Sequence, residues 1–277
     1  MDRLRLLSYN IQAGIHSRRY RDYVSNGWKH LLPHGERQRN LTSIGALLKG
    51  YDVVGLQEVD AGSLRSNFVD QTEFLARVGG FPFWHKQVNR ELGSLARHSN
   101  GMLSRLRPSR VVSHKLPGMP GRGALLIEYR TTHQEPLAIC VLHLALGWRA
   151  RRLQLDYLVE MAERYRFIVL MGDFNCGCRS LTLKRAIHRA GLRGFDCELK
   201  TFPSWRPQRN LDHILTSSEL GISAARVLDY ALSDHLPLSM EVVFAGWGAS
   251  GRIAYYCVVT QCRCHFTNPA RSFCNLR

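Results

Sequence analysis

The sequence predicts an α/β (α+β) fold in which two β-sheets pack face to face and helices cover the outside. Short apolar runs of strand length recur along the whole chain, and stretches with helical spacing separate only some of them. Because strands and helices do not alternate strictly, a doubly wound parallel sheet is disfavoured and two packed sheets are favoured. No internal repeat or linker interrupts this pattern, so residues 1–245 are expected to form one domain.

The first half of the chain is predicted to begin with a strand at 3–11, followed by a long, basic surface loop at 12–39. Apolar residues at positions 41, 44, 45, 47 and 48 have helical spacing and predict a helix at 40–48, which Gly50 ends. The elements expected next are a strand at 52–58, a helix at 68–78 and strands at 101–106, 123–129 and 137–144.

The second half is predicted to begin with an amphipathic helix at 149–165, because Leu153, Leu158 and Met161 fall on one side of it. The continuous apolar run at 167–171 indicates a strand that is buried on both faces. A helix at 181–190 and strands at 211–216, 225–230 and 235–244 complete the predicted domain.

The composition changes at the carboxyl-terminal end, over residues 246–277. This stretch contains four of the eight cysteines and four arginines but no acidic residue, and it opens with Gly-Trp-Gly-Ala-Ser-Gly. We expect a tail that is disordered or loosely attached to the domain. The cysteine spacing matches no standard zinc site, so a structural metal is not predicted there.

The chain carries a formal net charge of +16, from 38 Lys and Arg against 22 Asp and Glu. Such an excess attracts anions, and nucleic acid, phosphorylated small molecules and anionic membrane surfaces all remain open as partners. The hydrophobic share of 45% suits a folded enzyme and argues against a disordered chain. Neither a secretory signal nor a run of about 18 apolar residues is visible, so a cytoplasmic protein is expected. We also expect a monomer.

Polar residues suited to catalysis recur where apolar runs begin or end. Five follow predicted strands, and three come at the start of predicted strands. They are, in order, Asn10, Glu58, His143, Asp173 and Asn175, and then Asp212, Asp234 and His235. The end of one strand and the start of an antiparallel neighbour share a sheet edge, so all eight are expected to line one cleft.

Hydrolysis of a phosphoester needs a hard cation that neutralises charge on the phosphate. Mg²⁺ takes oxygen ligands, commonly one or two carboxylates. Glu58 is the expected ligand, with Asn10 and Asp234 beside it. Asp173 is suited to position the attacking water as a base or an orienting group.

The same reaction needs donors for the charge that develops on the phosphorus oxygens. His143, Asn175 and His235 are the candidate donors. Asp212 is expected to hold the His235 ring in one orientation, as carboxylates do in other histidine-dependent sites.

The motifs resemble those of the endonuclease/exonuclease/phosphatase superfamily, which has the deoxyribonuclease I-like fold, and specifically its bacterial members of unassigned substrate. They are Ser-Tyr-Asn-Ile, Leu-Gln-Glu-Val, His-Leu, Gly-Asp-Phe-Asn, Leu-Asp-His-Ile-Leu and Ser-Asp-His-Leu-Pro. Their order and spacing match from Leu4 to about Val243. The resemblance implies a four-layer α/β sandwich of two packed mixed sheets, dependence on Mg²⁺ or Mn²⁺, and the residue roles assigned above.

The substrate depends on the loops, because the core motifs are shared by enzymes that cut different phosphoesters. Basic and aromatic residues mix in two predicted loops, 18–39 and 201–210, as is typical of nucleic-acid binding. A nucleic-acid phosphodiesterase or endonuclease is therefore narrowly favoured. A phospholipid or glycolipid-headgroup phosphodiesterase resembling sphingomyelinase, a sugar-phosphate phosphatase and an inactive binding module remain the alternatives. The candidate substrate contacts are Asn100, Arg122, Arg206 and Arg209.

Overall fold

The computed structural model describes residues 2–15, 35–118, 120–132, 134–194 and 198–244, and it confirms two packed mixed sheets flanked by helices. In chain order the strands are β1 (Asp2–Asn10), β2 (Val53–Asp60), β3 (Phe83–Leu92), β4 (Ala96–Ser104), β5 (Arg110–Lys115), β6 (Gly123–Tyr129), β7 (Leu137–His143), β8 (Phe167–Asp173), β9 (Leu192–Gly194), β10 (Asp212–Ser217), β11 (Gly221–Val227) and β12 (Leu238–Phe244). The helices of these residues are α1 (Gly35–Leu48), α2 (Gln71–Gly79), α3 (Trp148–Ala162) and α4 (Leu181–Arg189), and short 3₁₀ turns span Gln12–Gly14 and Leu64–Ser66.

Each sheet has six strands within the described residues. The first has the order β11-β12-β1-β2-β4-β3, and the second has the order β5-β6-β7-β8-β10-β9. One central pair in each sheet is parallel, β1 with β2 and β7 with β8. The other pairs are antiparallel, so the carboxyl ends of the parallel strands meet the starts of β10 and β12 at one edge.

Three apolar clusters give the molecule its four layers. The central cluster joins the two sheets and includes Leu6, Val141 and Met171. A second cluster packs the first sheet against α1 and α2, and a third packs the second sheet against α3 and α4. The parallel strands β7 and β8 are buried along their whole length, as expected for strands covered on both faces.

The prediction of a surface loop at 12–39 is wrong at both of its described ends. Gln12, Ala13 and Gly14 form a buried 3₁₀ turn, and α1 already begins at Gly35. The buried face of α1 begins with Arg37 and Asn40. Both residues are polar, so the apolar pattern that predicts the helix begins after the helix itself has begun. Residues 16–34 of this loop, and the predicted tail at 246–277, lie outside the described residues.

Several predicted boundaries also shift. The helix expected at 68–78 begins only at Gln71, because Asp70 caps it by accepting hydrogen bonds from the backbone amides of Thr72 and Glu73. The strand expected at 101–106 is Ala96–Ser104, and the strand expected at 225–230 is Gly221–Val227.

Three strands were not predicted at all: β3, β5 and β9. Two of them, β3 and β5, are edge strands with mostly exposed or half-buried residues, so they lack the apolar pattern of a core strand. The third, β9, has only three residues. No helix among the described residues is long and apolar enough to cross a membrane.

Candidate active site

Strands β1 and β2 bring Asn10 and Glu58 to the same edge of the first sheet. Asn10 is paired with Gln57, and the register of β2 against β4 shifts between Leu56 and Val59. Glu58 lies in this irregularity with a φ of +54°, a left-handed conformation that costs free energy in a non-glycine residue. Its side chain is 37% exposed, so the bulge presents a carboxylate at the mouth of the cleft.

Strands β7 and β8 bring His143 and Asp173 together as parallel neighbours in register. Gly172 precedes Asp173 with a φ of +151°, and a Cβ on it would lie 1.9 Å from the carbonyl oxygen of Leu142. Only glycine allows this close approach of the two strands. The close packing of the two strands therefore explains why the Gly-Asp-Phe-Asn motif begins with glycine.

Asp173 lies at the centre of the cluster and is 2% exposed. Its Oδ1 accepts a hydrogen bond from the backbone amide of Asn175 at 2.8 Å, and its Oδ2 accepts one from Nδ2 of Asn10 at 3.2 Å. The Nε2 atoms of His143 and His235 lie 3.5 Å and 3.8 Å from the same Oδ2. Two imidazoles thus face one carboxylate oxygen.

Asp212 and His235 form a tightly bonded pair beside Asp173. Asp212 begins β10 directly opposite Asp173, and its Oδ2 lies 2.7 Å from Nδ1 of His235. Thr201 donates its hydroxyl to the same Oδ2 at 2.5 Å. The ring of Phe202 packs on His235 with centroids 4.9 Å apart, so the imidazole is fixed by a carboxylate and by an aromatic neighbour.

Asn175 and Asp234 complete the predicted set. Asn175 has a φ of +52°, and its Nδ2 donates to the carbonyl oxygen of Leu144 at 2.9 Å. The carboxylate of Asp234 accepts a hydrogen bond from Ser233 at 3.0 Å. The structure therefore brings all eight predicted residues to one edge, with Asn175 bonded to the neighbouring loop.

The two histidines of the cluster have opposite charge preferences. Burial and the nearby charges of Arg122 and His235 lower the pKa of His143 well below its usual value. Burial also disfavours the charged form of His235, but the carboxylates of Asp212 and Asp173 outweigh it and raise the pKa well above the usual value. These shifts favour a neutral imidazole at His143 and an imidazolium at His235.

The carboxylates of the cluster repel one another. Burial, helped by the charges of Asp212 and Glu58, raises the pKa of Asp173 to about 7. Burial and the charge of Asp234 likewise raise the pKa of Glu58. A cation bound among these groups would relieve this repulsion, so the charge distribution of the site suits a metal ion.

Two overlapping sets of residues could hold that ion. The predicted set is Asn10, Glu58 and Asp234. The second is Asp173, Asp212 and His235, whose ligand atoms lie within 4.8 Å of one another. Among the described residues nothing donates to the buried Oδ1 of Asp212, which leaves an oxygen open to a cation or a water. In the first set, Asn10 directs Nδ2 toward Glu58 at 3.4 Å while its Oδ1 accepts from the amide of Gln12.

The four predicted substrate contacts lie in different surroundings. Asn100 is 1% exposed and donates Nδ2 to the carbonyl oxygen of Gly123 at 2.9 Å, which gives it a structural bond. Arg122 is half-buried and acts electrostatically on Glu58. Arg206 and Arg209 are exposed on the segment that follows Phe202.

Sequence reasoning missed Thr201 and Phe202 as individual site residues. Both belong to the loop singled out for its basic and aromatic residues, but nothing in the sequence predicts that Thr201 donates to Asp212 or that Phe202 packs on His235. These contacts depend on how the loop folds back, through backbone hydrogen bonds between Phe202 and Arg209.

The molecule has two packed mixed sheets, and carboxylates, amides and histidines lie together at one edge. This combination is typical of phosphoester hydrolases with a sandwich fold. The chain belongs to the endonuclease/exonuclease/phosphatase family, whose sequence model matches residues 7–235. A search of curated proteins finds no match.

Solved structures of the family share the fold at low sequence identity. An endonuclease/exonuclease/phosphatase from Beutenbergia cavernae DSM 12333 is 18% identical with a TM-score of 0.67, covering 87% of this chain and 71% of that one. The mannosyl-6-phosphatase of Bacteroides thetaiotaomicron VPI-5482 is 17% identical with a TM-score of 0.64, covering 87% of this chain and 100% of that one. The catalytic domain of human Nocturnin, solved with a bound sulfate, is 18% identical with a TM-score of 0.61, covering 88% and 95%.

Proposed function

We propose that this protein is a divalent-metal-dependent phosphodiesterase in which a water molecule attacks phosphorus. The observation that carries the proposal is the carboxylate of Asp173, whose Oδ2 lies within 4 Å of the Nε2 atoms of both His143 and His235. Pairs of groups whose charge states are driven apart are the usual sign of acid and base roles.

Glu58, with Asn10 and Asp234 beside it, is the proposed holder of Mg²⁺ or Mn²⁺. A bound divalent ion would neutralise phosphate charge and stabilise the departing oxygen. Glu58 suits this role because its half-exposed carboxylate lies at the mouth of the cleft, where substrate oxygens can share the ion.

The remaining residues act on the water and the phosphoryl group. Asp173 orients the attacking water and accepts a proton from it as the new phosphorus–oxygen bond forms. His143 and His235 donate hydrogen bonds to the phosphoryl oxygens, with Asp212 holding the His235 ring through Nδ1. Asn175 joins them once its side-chain amide is released from Leu144.

Nucleic acid is the first proposed substrate. Arg206 and Arg209 are exposed on the segment whose Phe202 packs on His235, so they belong to the loop that contacts the catalytic cluster. Arginine side chains at such a rim bind backbone phosphates without reading base sequence. The other basic loop used for this prediction falls mostly within residues 16–34, outside the described residues.

A lipid headgroup is the second candidate, favoured by exposed apolar residues at the same edge. Leu146 is 75% exposed, Trp148 61% and Leu181 70%. Trp148 and Leu181 are the first residues of α3 and α4, two helices that the salt bridge of Asp156 with Arg189 joins. Exposed leucine and tryptophan beside arginine suit a membrane interface.

A substrate panel tests the function. The full chain is stripped of metal with a chelator, resupplied with Mg²⁺ or Mn²⁺, and offered supercoiled plasmid, abasic duplex, RNA, sphingomyelin vesicles, inositol phosphates and mannose 6-phosphate. We expect metal-dependent turnover of a phosphodiester in this panel, and turnover unaffected by the chelator would contradict the proposal. Cell fractionation and light scattering would check the further expectation of a cytoplasmic monomer.

Replacement of Glu58 tests the proposed metal site. Glu58→Gln should abolish Mg²⁺ binding measured by titration calorimetry, while Asp212→Asn should retain it. Glu135→Gln serves as the control, because Glu135 pairs with Arg166 at the opposite end of β7. Loss of binding in Asp212→Asn but not in Glu58→Gln would assign the ion to the other set.

A further inference from the structure

A second group of basic side chains lies beside the catalytic cluster, on strands that were not all predicted from the sequence. Arg90 of β3 is the direct cross-strand partner of His98 of β4, and His98 is in turn the partner of Asp60 of β2. Directly opposed residues of antiparallel strands point to the same face of a sheet. Arg90 and His98 therefore share one face at the edge where Glu58 lies.

Arg122 meets this group from the second sheet. Its carbonyl oxygen accepts from the amide of Leu116 at 3.2 Å, and the next residue, Gly123, is held by Nδ2 of Asn100. Gly121 has a φ of +100°, and a Cβ on it would lie 3.3 Å from Cδ of Arg90. The side chain of Arg90 thus crosses the gap between the sheets and lies against the residue that precedes Arg122.

These arginines have no carboxylate within ion-pair distance among the described residues, although Glu58 and Asp173 act on the charge of Arg122 from farther away. Within the described residues neither the side chain of Arg90 nor that of Arg122 makes a hydrogen bond or a salt bridge. Glu91, next to Arg90 in the chain, instead pairs with Arg97 at 3.1 Å. Arg122 is half-buried, and burial lowers its pKa. A partly desolvated guanidinium without a partner is costly, which points to an anionic ligand.

The electrostatic interactions of the two arginines indicate that this group lies next to the catalytic cluster. The charge of Arg122 acts on Glu58, Asp173 and His143, whereas that of Arg90 acts on Arg122 and His98. Arg122 follows Gly121, which lies against Arg90, and its charge acts on Glu58, so it connects Arg90 to the catalytic cluster. Burial, with Arg65 and the other arginines, lowers the pKa of His98 to about 4, so it can donate from a neutral ring.

We propose that Arg90, Arg122 and His98 form a subsite for a second phosphate group of the substrate, next to the phosphoester that is cleaved. The inference rests on the proposed function and extends it, because the substrate must then carry two phosphates. The same chemistry could come from the neighbouring phosphate of a nucleic-acid backbone or from a small bisphosphate. Guanidinium groups suit it because they bind phosphate through paired hydrogen bonds.

Two substrates that differ by one phosphate test the subsite. They are the p-nitrophenyl ester of thymidine 5′-phosphate and the same ester carrying a 3′-phosphate. In the wild-type protein with Mg²⁺, kcat/KM should be roughly tenfold higher for the second ester, the size expected for added charged hydrogen bonds. Arg90→Gln should remove most of this ratio. Arg97→Gln is the matched control on the same hairpin and should retain it.

Equal kcat/KM for the two esters in the wild type, or equal losses in Arg90→Gln and Arg97→Gln, would overturn the subsite while leaving the proposed function intact. If neither ester is hydrolysed, calorimetry still tests the subsite. Thymidine 3′,5′-bisphosphate should then bind roughly tenfold more tightly than thymidine 5′-monophosphate to the wild type but not to Arg90→Gln, and equal binding overturns it.

Competition separates the two sources of the second phosphate. A trinucleotide and inositol 1,4-bisphosphate are added to the assay of the 3′-phosphorylated ester. Inhibition by the trinucleotide alone assigns the subsite to a nucleic-acid backbone, and inhibition by the bisphosphate alone assigns it to a small molecule. Inhibition by neither overturns the proposal.

Discussion

The two histidines of the cluster show how neighbours set the chemistry of a single residue. Both are buried within 4 Å of Asp173, but only His235 has a carboxylate, Asp212, on its other ring nitrogen. His143 instead lies near the positive charges of Arg122 and His235. One site thereby contains a neutral donor and a cationic donor, which a phosphoryl group gaining negative charge can use together.

Asp212→Asn should lower kcat by roughly 10²–10⁴-fold, because an amide no longer stabilises the His235 imidazolium. KM should change little, since the residue does not face the substrate directly. Steady-state kinetics measure both constants. Thr201→Val is the matched control, because it removes one hydrogen bond to Asp212 and keeps the carboxylate, and its loss should be much smaller. A kcat of Asp212→Asn near the wild-type value would contradict the assigned role.

At this scale the sequence identified the eight residues of the cluster because each ends or begins an apolar run. It could not identify Arg90, which lies on a mostly exposed strand, or His98, which lies in the polar first half of β4 before the apolar residues that predict this strand. Nor could it show that Asn100 is bonded to Gly123, because that contact joins the two sheets and depends on their packing.

Among the elements, the ends of α1 and α2 are joined by one side chain. Arg105, just after β4, donates to the carbonyl oxygens of Lys49, Tyr51, Gly79 and Gly80 at 2.9–3.1 Å. Its guanidinium also lies 4.6 Å from the ring centroid of Phe81. Helix ends leave carbonyls without intrahelical partners, and Arg105 satisfies those of both helices at once.

Arg105→Met should lower the free energy of unfolding by about 2–4 kcal/mol, because several carbonyl partners lose a charged donor together. Urea unfolding followed by circular dichroism measures the change. Arg107→Met, an exposed arginine two residues away, is the control and should be nearly neutral. Equal stability of the two variants would show that the helix ends do not depend on Arg105.

Elements buried on both sides were predicted more accurately than edge strands, of which only β11 was predicted in part. The predicted strand at 123–129 has the bounds of β6, and the apolar run at 167–171 lies inside β8. The edge strands β3 and β5 were missed because one side of each faces solvent and little apolar sequence is needed. The start of α1 was missed because Arg37 and Asn40 are polar residues on a buried helix face.

For the whole molecule, the net charge of +16 makes salt dependence the natural test of a nucleic-acid substrate. Each phosphate contact releases counterions, so log affinity for duplex DNA should fall with log salt at a slope of about −0.9 per contact. Arg206→Ala combined with Arg209→Ala should make the slope shallower by about two units if both bind phosphate. Binding is measured with catalysis blocked by Asp173→Asn, and equal slopes with and without the two arginines would remove them from the interface.

The sandwich as a whole was predictable because the strand and helix pattern excludes strict alternation, and the order of the layers follows from burying three apolar clusters. The substrate was not predictable, because it depends on rim residues from several loops. Arg122, Trp148 and Arg206, for example, come from three separate segments of the chain, and the sequence alone does not show how these segments lie relative to one another.

The central claim is that water attacks phosphorus at Asp173 with the help of a divalent ion, and isotope incorporation tests it most directly. Bis(p-nitrophenyl) phosphate is hydrolysed in ¹⁸O-enriched water with Mg²⁺ by the wild type and by Asp173→Asn. We expect the ¹⁸O in the phosphate product, no turnover with chelator, and a rate at least about 10²-fold lower in Asp173→Asn. Incorporation of ¹⁸O into nitrophenol, or a wild-type rate for Asp173→Asn, would contradict the account.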